Sequence, residues 1–561
     1  MKMRAMVAAG VLGWVCGAAC AQPWVEAESA RTMVREGKLA EALAKYGPMV
    51  EKNPFDGEAW SQYGYCLHGE KKYEEALKAF GRAIELGVNR PGNLYNSACS
   101  LALMGKKDEA LKRIEAALNA RFSEQETLET DSDMDSLRDD PRFAALTGIM
   151  KGLKEKPWAG GGREAGWAWD LDFYTRRMKQ MHWDLYAKVS KEAFLAEVEK
   201  LKREAKSLSD SQVRVRLKKI TALVGDGHTS SRLYPEGEDR KALPVHMFAF
   251  KDGMYIIGAD EAHSSLVGAK VVGVGELKID AAMKAVRPYI SVDNEMGYLA
   301  QGPAMLGSPP ILKEIGAAAD ESGVELTVER GGKAEKVRVE PVGFPGGGHA
   351  GILMPGFVYL HDQMKGERPL FLREPSKMLR MEHVPEKKLV YFWFGAVQDS
   401  KDAKLGEFAG KMFEFIEKNN VENLVIDMRF NGGGNTGLIR PLINGLIKCE
   451  RVNEQGHLFV IIGRHTFSAA QNTVNLMDNQ TEAIFVGEPT GSRPEFVGES
   501  TNFVLPYSGT KVYCSSRYWQ YMDSTDQRTW VQPSIAAEMT FADYAAGRDL
   551  AMEEVLRWVG R

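Results

Sequence analysis

The chain has 561 residues, of which 44% are hydrophobic and 26% charged, with a net charge of −4. That is long enough to bury more than one core. The mixed charges supply no basic surface for nucleic acid and no attraction to an anionic membrane, so neither partner is expected.

Residues 1–21 read as a leader and not as fold. Lys2 and Arg4 precede an apolar run from Ala5 to about Ala19, and Ala19-Cys20-Ala21 fits a small-x-small cleavage site. The expected location is secreted or periplasmic, with membrane attachment only if Cys20 is lipidated. Gly17 weakens that second reading, because a large aliphatic residue is usual there. Removing the leader leaves Cys66, Cys99, Cys449 and Cys514, too few for a disulfide framework, so buried thiols are expected. No Cys/His spacing matches a metal site, and neither metal nor cofactor is expected.

Residues 22–155 read as helical repeats, and 23–124 within them carry a 34-residue period that maps Ala30 to Gly64 to Ala98, Ala42 to Ala76 to Ala110, and Tyr46 to Phe80 to Ile114. Small residues at fixed offsets beside large apolar ones suit paired helices that pack closely, and the array resembles tetratricopeptide repeats. Such an array is a docking surface for a protein partner or substrate and has no chemistry of its own. The acidic tract Asp131–Pro141 reads as a loop leading to a capping helix over 141–153. Glu155–Arg163 clusters helix breakers and reads as a linker.

Residues 165–232 read as a helical lead-in. Ser209-Asp210 offers a cap, and Val213, Leu217, Ile220 and Leu223 form an apolar stripe that runs into Gly225-Asp226-Gly227-His228-Thr229. In a glycine-flanked turn an imidazole is expected to stay accessible and near its reference pKa, although a lone loop histidine is often incidental. Residues 233–345 read as short strands with turns, and Pro341–Gly356 as a Gly/Pro-rich mobile flap.

The core is placed at 385–561. Three apolar, β-branched runs at 424–427, 458–462 and 484–486, separated by helical spacers, imply a parallel sheet with right-handed crossovers. Loops leaving the carboxyl ends of such strands share one edge, where ligands bind. Asn431-Gly432-Gly433-Gly434 leaves one strand there and Thr466-Phe467-Ser468-Ala469 the next. A serine at a helix start, beside exposed amides, supplies a nucleophile and oxyanion donors for acyl transfer. The plainer alternative is a helix N-cap and a turn. The expected donors are the amides of Ala469 and of Gly432 or Gly433.

Leu-Val-Ile-Asp-Met-Arg-Phe-Asn-Gly-Gly-Gly (424–434), Thr-Phe-Ser-Ala-Ala (466–470) and Val-Gly-Glu-Pro-Thr-Gly (486–491), in that order, resemble the tail-specific (C-terminal-processing) serine protease family. Gly225-Asp226-Gly227-His228-Thr229 resembles the motif that carries the base histidine of its tricorn-type branch. The resemblance runs from about Gly166 to Leu556 and is thin between Leu233 and Pro385. It implies a multidomain chain: the all-α tetratricopeptide-like array, then an α/β (ClpP/crotonase-like) protease domain with a helical lead-in and a β-rich insert. It further implies that 233–345 holds a degenerate PDZ-like module.

The resemblance also implies Ser468 as nucleophile acting on a peptide or protein substrate. Processing-type members use lysine as base, but no lysine lies between Lys448 and Lys511, and Arg493 cannot be deprotonated at working pH. His228 is therefore the expected base, with His465 as rival, and activity should rise with pH through about 6.5–7. The tricorn-type branch has a serine beside its histidine, oriented by a distant glutamate. Here Gly227 precedes His228, and Ser230 lies two residues on. Glu499, Asp226 and Ser515 stay open as the orienting group, with Glu499 preferred. A second reading is a non-catalytic family member that binds peptide or lipid, as retinoid-binding relatives do.

Overall fold

A computed structural model describes residues 23–120, 122, 125–143, 146, 161–344, 353–401 and 403–559. The leader, most of the linker, the distal part of the capping helix and the middle of the flap lie outside the described residues. Two compact units divide the chain, Met1–Glu155 and Lys156–Arg561.

In the first unit, helices Leu39–Lys52, Tyr73–Glu85 and Lys107–Asn119 begin at the 34-residue spacing read from the sequence. Pro23–Arg35, Gly57–Gly69 and Arg90–Leu103 alternate with them. Ala42, Ala76 and Ala110 are fully buried, as are Phe80 and Ile114 beside them. The small positions are small for a steric reason: a Cβ on Gly64 would stand 2.7 Å from the Phe80 ring. Each helix pair closes its core on its neighbours, so a fragment of residues 22–150 is expected to give a helical circular dichroism spectrum. A random-coil spectrum would end the idea of an autonomous unit. Cys66 and Cys99 here, and Cys449 and Cys514 in the second unit, are buried free thiols.

The second unit opens with helices Arg163–Met181, Lys191–Glu204 and Asp210–Ala222. Ser209 caps the third in a capping box with Gln212. Val213, Leu217 and Ile220 face inward as expected, but Leu223 lies at the helix end and is 38% exposed. The chain then enters strand Ser230–Pro235, which pairs antiparallel with Thr510–Trp519, itself hairpinned to Phe496–Val504. This pairing carries the residues around 228 to the C-terminal half.

The core sheet has six strands in the order Leu379–Val384, Leu389–Phe394, Asn423–Asp427, Leu458–Ile462, Ile484–Gly487, Ile535–Ala536. The first pair is antiparallel and the other pairings parallel, with Leu424 opposite Leu458 and Phe459 opposite Ile484. Helices Arg440–Lys448 and Ala469–Gln480 are the crossovers expected from the spacers. Both faces are buried, which is why the strands read as continuous apolar runs. Leu424, Ile426, Leu458 and Val460 pack on one side against Leu442, Val474 and Met477. Val425, Phe459, Ile461 and Val486 pack on the other against Met552 and Val555 of the closing helix Leu550–Val559. Each such side chain contributes about 1.5–3 kcal/mol on full burial. The core thus begins one strand earlier than residue 385.

Between lead-in and core lies a seven-stranded sheet whose pairings are all antiparallel. The segment also holds helices Ile279–Val286, Glu295–Met305 and Pro309–Glu314. An all-strand reading missed them, although Ile279, Ala282, Met283 and Val286 have helical spacing. No helix among the described residues is long and apolar enough to cross a membrane.

Candidate active site

Ser468 stands at the turn between strand Leu458–Ile462 and helix Ala469–Gln480, with φ 58° and ψ −124°. A non-glycine residue held there costs about 1–3 kcal/mol, so the surroundings must hold it. They do so by backbone and side-chain ties. Phe467 N–H donates to Asn431 O at 3.1 Å, Gly491 N–H to Thr466 O at 3.1 Å, and Thr466 Oγ1 to Met428 O at 2.8 Å. The Ser468 hydroxyl makes no capping bond to the helix, which removes the N-cap alternative. Instead it lies 2.9 Å from His228 Nε2, a contact between residues 240 apart in sequence.

The His228 ring lies between two aromatic rings, Phe467 at 4.4 Å and 21° and Phe496 at 5.3 Å and 8°. Burial pushes its pKa down to about 4, against an opposing pull from the Asp226 carboxylate. The ordinary pKa expected from the glycine-flanked turn is thus corrected: the flanking rings desolvate the imidazole, although the residue keeps partial exposure. At neutral pH the ring is uncharged, and Nε2 can accept the Ser468 proton if the ring hydrogen is assigned to Nδ1. That Nδ1 is buried and has no hydrogen-bond partner among the described residues.

The residues considered for orienting the ring have other work. Asp226 Oδ1 accepts from His228 N–H at 2.9 Å, Thr229 N–H at 2.8 Å and Ser515 Oγ at 2.6 Å, while His182 Nε2 donates to Oδ2 at 2.8 Å. Asp226 therefore holds the backbone of the loop, and Ser515 holds the Asp226 and Thr229 side chains, not the imidazole. Asp226→Ala leaves these donors and His182 without their buried acceptor. It is expected to cost about 3–5 kcal/mol of stability in denaturant unfolding. A midpoint unchanged from wild type would remove that role. Glu499, the preferred orienting residue, is exposed at φ 56°, and its carboxylate makes no hydrogen bond to His228. The hairpin reaches the loop at this point through Ser500, whose Oγ donates to His228 O at 3.0 Å.

The glycine loop is divided in its roles. Gly433, at φ +102°, packs against the serine turn: a Cβ there would meet Ser468 Cβ at 2.6 Å and Ala469 N at 2.9 Å. Its N–H donates to Asn431 Oδ1 at 3.0 Å, and Asn431 Nδ2 in turn donates to Phe394 O at 2.8 Å. Gly432 is exposed, with no atom within 4 Å of a Cβ placed there. Of the two expected glycine donors, the Gly432 amide is the one with no acceptor among the described residues, as is the Ala469 amide at the helix start.

His465 is not placed as a base. Its ring lies 5.4 Å from that of Phe430, burial pushes it down to about 3, and its Nε2 has no partner among the described residues. Lys511 pairs with Glu236 at 2.8 Å. A cavity of about 770 Å³ adjoins the glycine loop, lined by Phe357, Met378 and Phe430 with Gly432 and Gly433. Sequence reading missed Asn431, His182 and Ser492, whose Oγ accepts from Ser468 N–H at 3.3 Å. Asn431 was legible as part of a motif and His182 as part of Met181-His182-Trp183, which resembles the tricorn-type branch, while Ser492 carries no local signal.

No family model matches the chain. It is 30% identical over 88 residues to the peroxisomal targeting signal receptor of Yarrowia lipolytica (strain CLIB 122 / E 150), covering 16% of this chain and only 15% of that protein's length. Among solved structures, the photosystem II D1 C-terminal processing protease is 13% identical, with a TM-score of 0.33 over 70% of this chain and 98% of that one. That score is too low to bear on the fold. Mature CPAF complexed with lactacystin is 13% identical, with a TM-score of 0.50 over 71% of this chain and 98% of that one. At this identity the likeness establishes a shared fold, and the chemistry rests on the side chains themselves.

Proposed function

We propose that this chain is an exported serine peptidase of the tail-specific type, with a ClpP/crotonase-like core. The observation that carries this reading is the 2.9 Å contact of Ser468 Oγ with His228 Nε2, on a turn that leaves the Ala469 amide free. Ser468 attacks the scissile carbonyl, and its proton passes to His228 Nε2. The oxyanion takes hydrogen bonds from the Ala469 and Gly432 amides. His228 returns the proton to the leaving amine, and water resolves the acyl-enzyme by the same route. No cofactor enters the scheme. Export is supported by Lys2, Arg4 and the apolar run after them, and docking of a protein partner or substrate by the helical repeats.

A second reading, a weak or inactive member that binds peptide or lipid, is favoured by one feature. The buried Nδ1 of His228 lacks an acceptor, and an unpaired buried donor costs about 1–3 kcal/mol. An alkyl fluorophosphonate probe separates the two. Covalent labelling at Ser468, lost in His228→Ala, supports the peptidase, and an unlabelled folded chain supports the binder.

A further inference from the structure

Behind the reacting pair lies a carboxylate that the scheme above does not use. Asp293 Oδ1 accepts from Gly227 N–H, the amide next to His228, at 2.8 Å. Its Oδ2 accepts from Ser492 Oγ at 3.2 Å, and Ser492 Oγ accepts from Ser468 N–H at 3.3 Å. One carboxylate thus reaches the peptide before the base and, through a single hydroxyl, the peptide of the nucleophile. The fit is close on the His228 side: a Cβ on Gly227 would stand 2.7 Å from the Phe467 ring and 3.3 Å from the Asp293 carboxyl carbon.

We infer that Asp293 is a positioning residue that holds the His228 loop and the Ser468 turn in register, acting through Gly227 and Ser492. This rests on the serine peptidase reading. The two segments belong to different sheets, and the hairpin pairing alone leaves the distance between them to the loops. Direction matters as much as distance. An ionised Asp293 can only accept, so it draws the Ser492 hydroxyl proton toward itself and turns a Ser492 lone pair toward Ser468 N–H. Oδ1 is taken by the Gly227 N–H, so the proton goes to Oδ2. Asp293 then donates to Ser492 Oγ, which must serve two donors while its own proton loses Oδ2, and the tie to Ser468 loosens.

The charges that face Asp293 come from several elements. Asp226 lies on the His228 loop with His182 against it, and Lys188 lies on the preceding loop. Arg287 and Glu295 line the same cavity of about 510 Å³ that Asp293 borders. Burial, then the Asp226 charge, push the Asp293 carboxyl up to about 6, while the Gly227 amide, Lys188 and the Ser492 hydroxyl pull it down. The active form is the carboxylate, so reactivity rises with pH through that value.

The test measures the rate of Ser468 labelling by an alkyl fluorophosphonate, from about pH 4 to pH 8, on the full chain and on Asp293→Asn, Asp293→Ala and Ser492→Ala. Wild type should show a step near 6, set by Asp293, above a second near 4 from His228. Asp293→Asn keeps the shape and the Gly227 bond but fixes the reversed polarity. It should lack the upper step and label about tenfold more slowly at neutral pH. Asp293→Ala should be slower by about a hundredfold, with Ser492→Ala between the two. A step near 6 that persists in Asp293→Asn, or a wild-type rate in folded Asp293→Ala, overturns the inference while leaving the peptidase reading intact. A wild-type chain that does not label at all overturns both.

Discussion

Ser468→Ala and His228→Ala should each lower turnover of a susceptible peptide by about 10⁴–10⁶-fold, and the double variant should be no slower than either. The pair shares one proton along a 2.9 Å contact, so removing either end removes the same transition-state interaction. Lys511→Ala should be nearly silent, because that ammonium is engaged with Glu236. His465→Ala should leave the chemical step in place, since its ring packs against Phe248 and Phe430 and makes no bond to Ser468. The acid limb set by His228 should fall well below the ordinary histidine range, because burial pushes the ring down to about 4 and only the neutral ring is a base. Wild-type turnover in His228→Ala, with loss in Lys511→Ala or His465→Ala, assigns the base to another residue.

Gly433→Val should abolish activity and also weaken the fold, a larger effect than blocked access to an amide. The added Cβ meets Ser468 Cβ at 2.6 Å, Phe467 O at 2.8 Å and Ala469 N at 2.9 Å, all on the turn that carries the nucleophile. The backbone at φ +102° adds about 1–3 kcal/mol of strain for a branched residue, and overpacking adds about 1–3 kcal/mol more. Displacing the Ala469 amide removes an oxyanion donor, an effect of about 10²–10³ in turnover. Gly432→Ala is the control, since no described atom stands within 4 Å of that position. Its stability should stay within about 0.5 kcal/mol of wild type. A Gly433→Val protein that melts and labels like wild type would show that the glycine loop does not bear on the serine turn.

The particular elements show why some features were legible. The parallel strands at 423–427, 458–462 and 484–487 lie where their apolar runs stand, because a sheet buried on both faces demands continuous Val, Ile, Leu and Phe. The repeat period survived folding unchanged, since each helix pair packs on its sequence neighbours. The helix at 279–286 carries helical spacing but only eight residues, and the one at 295–305 holds Gly297, Gly302 and Pro303, residues that read as turns.

The sequence by itself determined the helical array, the parallel core, the serine at a strand exit and the histidine that could serve it. The first three are local patterns of size, period and turn chemistry, while the histidine was singled out by the resemblance of Gly225-Asp226-Gly227-His228-Thr229 to a family motif. Only the tertiary structure decided what those groups touch. The pairing of strand Ser230–Pro235 with Thr510–Trp519 brings His228 to Ser468. Burial between Phe467 and Phe496, and not the flexible turn, sets the ring's charge. The same pairing sets Asp226 on the loop backbone with Ser515 against its carboxylate, and leaves Glu499 in solvent. Hydrogen-bond partners hundreds of residues apart leave no spacing to read, because they are set by where strands end in space and not by where residues fall along the chain.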